Sequence, residues 1–170
     1  QHASIYFNMG NSLRLSNKLQ EAVKAYKKAI SFKDNYLDAY INMGNTLRLL
    51  GKYEEAIAAH NVVVSKDQSH SPSYNNLGNI YREQGKLEKS IKAYRKALSF
   101  KGAQEHITLN LSFALLNNGN LLEGLEKYEA RWNTDTPGQS IRLFSQPIWT
   151  KHVSLENKTI LVWGEQGPQD

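Results

Sequence analysis

The chain has 170 residues, 21 Lys and Arg against 16 Asp and Glu, and 40% hydrophobic residues, which suits one domain with a piece of another. No run of about 18 apolar residues is present, which argues against a membrane-spanning helix. The start, Gln1-His2-Ala3-Ser4, lacks the charged and apolar stretches of a secretory signal, so no membrane partner and a cytoplasmic location are expected. The absence of cysteine excludes disulfide frameworks, thiolate zinc sites and cysteine nucleophiles, so the fold must hold by packing. A chain beginning without Met reads as a processed or cut fragment.

From the N-terminus, Ser4–Leu15 is expected to form a helix with Tyr6, Met9 and Leu13 on one stripe. Ser16-Asn17 then supplies a turn, and a second helix carries Leu19, Val23, Tyr26 and Ile30 on its apolar side. The pattern returns every 34 residues: Gly10, Gly44 and Gly78 are in phase with Ser112, and Tyr6, Tyr40 and Tyr74 precede the glycines by four. Small residues (Ala22, Ala56, Ser90, Gly124) and ring-bearing residues (Tyr26, His60, Tyr94, Tyr128) form two further columns, and Gly51, Gly85 and Gly119 mark the later turns. The small residues let paired helices approach closely, while Tyr6 and Tyr26 are expected to fill the space between successive hairpins.

This phase of aromatic, Leu-Gly, small and aromatic residues resembles the tetratricopeptide repeat over roughly residues 3–132. The fourth unit departs from it at Thr108, Ser112, Arg131 and Trp132, as an end unit that caps the stack or joins another domain does. The resemblance implies an all-α fold, a right-handed superhelical solenoid of four helix-turn-helix repeats (about 3–36, 37–70, 71–104 and 105–132) within a repeat domain over 1–132. The helical break at Asn133-Thr134-Asp135-Thr136-Pro137-Gly138 opens an irregular connector over 133–158. Thr159-Ile160-Leu161-Val162-Trp163 then reads as a buried strand, the start of an α/β domain over 159–170. Tyr128-Glu129-Ala130-Arg131-Trp132, Pro147-Ile148-Trp149 and Glu165-Gln166-Gly167 with Asp170 are similar to segments of bacterial proteins that join such repeats to a glycosyltransferase-like domain. Thr150-Lys151 and Pro168-Gln169 differ from that family's usual residues.

No catalytic constellation, cofactor motif or metal-ligand spacing is visible: His2, His60, His70, His106 and His152 are unpaired, and His60 shares a packing column with tyrosines. Residues 1–132 hold 18 basic and 12 acidic side chains. Lys24, Lys27 and Lys28, and again Lys89, Lys92 and Lys96, follow helical spacing, which reads as a solvated face rather than a nucleic-acid site, since no aromatic platforms interleave them.

The informative columns are polar. Asn8, Asn42, Asn76 and Asn110 recur in phase, Asn11, Asn45 and Asn79 follow three residues later, and at about 100° per residue both lie nearly opposite the Tyr6, Met9 and Leu13 stripe. Mid-helix asparagine costs up to roughly 0.7 kcal/mol relative to alanine, so seven in phase call for a reason. One is an amide ladder that grips an extended peptide backbone; the others are bonding between repeats and recent duplication of the unit, against which neighbouring columns such as Ser4, Asp38, Pro72 and His106 have diverged. In tetratricopeptide arrays the first helices line the concave face, which implies a groove holding these residues. Arg14, Arg48 and Arg82 form a third column suited to the carboxylates of an acidic partner, or simply exposed on the helices. The expected function is non-catalytic protein or peptide binding, presenting a substrate or partner to a glycosyltransferase-like domain of the parent protein; the rivals are a stand-alone scaffold that self-associates or assembles a complex and, behind it, nucleic-acid binding through the basic helices.

Overall fold

The computed structural model describes residues 2–100 and 105–129, so the expected connector and strand lie outside the described residues. Among those described there are eight helices: α1 His2–Leu15, α2 Leu19–Phe32, α3 Leu37–Leu49, α4 Tyr53–Lys66, α5 Ser71–Glu83, α6 Leu87–Leu98, α7 Glu105–Asn117 and α8 Leu121–Tyr128. They pair as four hairpins, each packed against the next.

All four hairpins turn in the same way. Lys18, Lys52, Lys86 and Asn120 donate their backbone N–H to the carbonyls of Leu13, Leu47, Tyr81 and Leu115 at 2.8–2.9 Å, closing the first helix with a six-residue loop. This loop needs a left-handed residue, supplied by Asn17 at φ 58°, Gly51 at 70°, Gly85 at 71° and Gly119 at 83°. Asparagine tolerates that region better than most residues, which explains the one hairpin without a turn glycine.

Within each hairpin the glycine of the first helix receives the ring of the second. A Cβ built on Gly10 lies 2.6 Å from the Tyr26 ring, one on Gly44 lies 2.8 Å from His60 Nε2, and one on Gly78 lies 2.5 Å from the Tyr94 ring. Tyr26 therefore fills its own hairpin rather than the gap to the next. Tyr6 stacks on Phe32 of the same hairpin, with ring centroids 5.6 Å apart, and Tyr74 on Phe100 likewise at 5.8 Å. The Ser90 hydroxyl donates to the Gly78 carbonyl at 2.8 Å, which ties α6 to α5 at the same crossing.

The seams between hairpins hold the rest of the core. Val23, Ile57 and Ile91 are 7–9% exposed, covered by the following hairpin, whereas Leu125, in the same column, is 57% exposed. Met43, Leu77 and Leu111 are buried against the preceding hairpin, whereas Met9 is 51% exposed. The stripe expected at Met9 is a seam stripe, buried only where a neighbouring hairpin covers it. Across these seams the exposed faces add ion pairs, Lys27 with Glu55 at 3.7 Å and Arg95 with Glu123 at 2.7 Å. Each such exposed pair contributes at most about 1 kcal/mol.

Candidate functional site: the amide and arginine face

The backbones of successive first helices come close, α1 to α3, α3 to α5 and α5 to α7, whereas the second helices stand further apart and meet through long side chains such as those of Lys27 with Glu55 and Arg95 with Glu123. The first helices thus form the inner side of the stack, and this is where every expected binding residue sits. The lysines at 24, 27, 28, 89, 92 and 96 are all exposed on α2 and α6, away from that face.

The seven asparagines are not equivalent. Asn11 Oδ1 accepts from the Tyr26 hydroxyl at 2.8 Å and from Asn42 Nδ2 at 2.8 Å, so a core tyrosine, an amide of its own hairpin and an amide of the next form one relay. In the third hairpin the Tyr94 hydroxyl donates to Asn79 Oδ1 at 2.7 Å, and Asn110 Nδ2 reaches Asn75 Oδ1 at 3.2 Å. Asn75 lay outside the expected columns, and Asn110 meets it rather than Asn79, one helical turn further on, whose Oδ1 accepts from Tyr94. Burial pushes the phenols of Tyr26 and Tyr94 up from their ordinary value, which keeps both as hydrogen-bond donors.

The middle hairpin breaks this pattern. His60 occupies the tyrosine column, fully buried over Gly44, and neither ring nitrogen has a hydrogen-bond partner. Burial, then the positive neighbours His70 and Arg48, hold its pKa down at about 4, so the ring is neutral near neutral pH. Without a phenolic hydroxyl the ring cannot reach Asn45 as its counterparts reach Asn11 and Asn79. The described structure gives Asn45 and Asn76 no side-chain hydrogen bond, and both are half-buried. Asn8 on α1 is exposed. The sequence carried the signal for this gap in the single histidine of a tyrosine column, but the column first reads as packing alone.

The arginines follow a similar division. Arg48 pairs with Glu83 at the end of α5, across the seam, in an ion pair whose side chains are about one-third exposed. Arg14 and Arg82 have no carboxylate partner among the described residues. All three arginines bury Nε without a hydrogen-bond partner, and Arg14 and Arg82 lie beside the hydroxyls of Tyr26 and Tyr94. Their stems are held by the wall of the stack, leaving the guanidinium ends as fixed positive groups on the amide face. Such a face supplies donors, acceptors and carboxylate-binding cations. Among the described residues no three His, Asp or Glu side chains cluster to hold a metal ion, and no helix is long and apolar enough to cross a membrane.

Three stretches of the chain match tetratricopeptide-repeat families: residues 10–48, 37–63 and 71–101. No curated protein matches the sequence. Among solved structures the chain is similar to a crystal structure of MamA, at a TM-score of 0.72 and 19% identity, with 77% of each chain covered. It is also similar to residues 41 to the end of MamA from Desulfovibrio magneticus RS-1, at 0.71 and 22%, covering 79% of this chain and 78% of that one. A MamA RS-1 double mutant gives 0.71 and 22%, covering 77% and 74%. At these identities the likeness is one of fold, and with the in-phase glycine and ring columns it has one reading: this chain is built of tetratricopeptide repeats, stacked as a helical solenoid.

Proposed function

We propose that the chain is a non-catalytic binding module that holds an extended, acidic segment of a partner protein along the first-helix face. The observation that carries this reading is the Arg48 and Glu83 pair, in which the face already binds a carboxylate with one member of a column whose other members, Arg14 and Arg82, have none. Extended backbone is the complement of side-chain amides, which offer two donors and an acceptor each. A fluorescein-labelled eight-residue peptide of alternating Glu and Ala tests it. Anisotropy should rise with the 170-residue chain, fall with added salt, and stay flat for the matching Lys and Ala peptide. Equal binding of both peptides, or of neither, refutes the reading.

A stand-alone scaffold that self-associates is the second reading, favoured by the uncovered seam residues Met9 and Leu125 at the two ends of the described stack. Sedimentation at rising concentration tests it directly, since a constant monomer mass rules it out. The widest form of our proposal, in which the repeats present their partner to a glycosyltransferase-like domain in the cytoplasm, is supported by the tail segments Pro147-Ile148-Trp149 and Glu165-Gln166-Gly167. Sequence following Asp170 with no such domain overturns it.

A further inference from the structure

The fourth hairpin ends the described stack on an apolar face. Leu121, Leu122 and Leu125 of α8 are 61, 78 and 57% exposed, and at about 100° per residue they lie within about a third of the helix circumference. Their columns behave differently upstream. Val23, Ile57 and Ile91, in phase with Leu125, are buried by the following hairpin, and Leu19, Tyr53 and Leu87, in phase with Leu121, are half-buried. The column of Leu122 is polar and exposed in every earlier hairpin, as Gln20, Glu54 and Glu88. Glu54 accepts from Gln84 and Lys86, in the turn of the next hairpin, at 3.0 and 3.4 Å. A leucine in that place holds no such turn, so α8 calls for an apolar cover where another repeat would bring a polar one. We propose that this cover is the chain's own connector: residues 143–149 dock on Leu121, Leu122 and Leu125 through Leu143, Phe144, Ile148 and Trp149.

Tether length and composition single out this segment. Thirteen residues separate Glu129 from Leu143; at about 3.3 Å each they span up to about 43 Å, whereas α8, with eight residues, is about 12 Å long. Residues 143–149 therefore reach back along α8 with chain to spare. Trp132, three residues after Glu129, has too short a lead to turn back as far as Leu121. Ile160, Leu161, Val162 and Trp163 are apolar in succession, which suits a strand covered on both sides rather than a segment laid over one face. Residues 143–149 hold four large apolar side chains and no charge, the complement of three leucines each more than half exposed. Any other occupant competes with a segment that its tether holds at an effective concentration in the millimolar range. The inference lies off the first-helix face and is independent of what that face binds.

The segment carries its own reporter. The chain's three tryptophans are Trp132, Trp149 and Trp163, so Trp132→Phe with Trp163→Phe in the 170-residue chain leaves Trp149 as the only one. Docked, its emission should lie to the blue of N-acetyltryptophanamide and resist quenching by acrylamide. Leu122→Glu with Leu125→Glu, both at exposed positions, should move the emission to that of N-acetyltryptophanamide and raise the quenching constant severalfold, with the helical circular dichroism unchanged. Leu122→Gln, which gives α8 the residue of the first hairpin, should shift it in the same direction by less, and keeps the test decisive if the double variant loses helicity. Met9→Glu, on the uncovered seam at the other end, should leave Trp149 as it is. A Trp149 already open to water before any change on α8, or one buried but indifferent to the leucine variants, would overturn the inference. Emission that changes on dilution would overturn it too, because the leucines would then be covered by a second copy.

Discussion

Buried, neutral and unbonded, His60 should make the second hairpin acid-sensitive. Its folded pKa of about 4 lies below the ordinary 6.5, so the stability it carries is fully present above about pH 6.5 and is lost as pH falls toward about 4. The linkage relation makes the loss about 1 kcal/mol at about pH 5.5 and about 2 to 3 kcal/mol at about pH 4.5, approaching roughly 3 kcal/mol below the folded value. The charged groups beside it act in the same sense: Arg48 from α3 and His70 at the start of α5 both oppose a second positive charge. Lost carboxylate pairs also weaken the fold in acid, so the natural chain alone does not isolate the effect. His60→Phe does, because the phenyl ring keeps the packing over Gly44 and cannot titrate. Urea unfolding of both chains, followed by circular dichroism at about pH 7, 5.5 and 4.5, should show the variant gaining on the natural chain by those amounts. Parallel stabilities across that range would refute the reasoning, showing that position 60 opens to water before it is protonated.

Other outcomes follow from the same crossings. Gly78→Leu drives a side chain into the Tyr94 ring, which leaves no room for even a Cβ, and should cost about 3 kcal/mol in urea unfolding. Tyr94→Phe removes the hydroxyl that reaches Asn79 and should cost about 1 kcal/mol, less than a packing loss because the ring remains. Gly85→Ala meets no atom within 4 Å, yet should cost about 1 kcal/mol by unfolding because φ is +71°. Glu83→Gln should leave Arg48 without its carboxylate and strengthen binding of the Glu and Ala peptide severalfold, read by anisotropy.

The sequence by itself determined the repeat. A 34-residue period of glycine, small and ring-bearing residues dictates paired helices at close approach, because only Gly10, Gly44 and Gly78 leave room for the rings of Tyr26, His60 and Tyr94. It also determined the turns, through Asn17, Gly51, Gly85 and Gly119, and the columns of amides and arginines on one face. Periodicity speaks for these because they depend on residues a few positions apart, within one hairpin. What only the tertiary structure decided is how side chains meet between hairpins. The amides were legible as a ladder, but not that Asn11 is filled by Tyr26 and Asn42, that Asn110 turns to Asn75, or that Arg48 is taken by Glu83. The stripe of Tyr6, Met9 and Leu13 gave the apolar side without saying which part faces its own partner helix and which faces the next hairpin, so Met9 looked like core until the stack showed its seam uncovered. The physical reason is the same each time: a helical period fixes the direction in which a side chain leaves its own helix, while the rotation and rise from one hairpin to the next fix what it finds there.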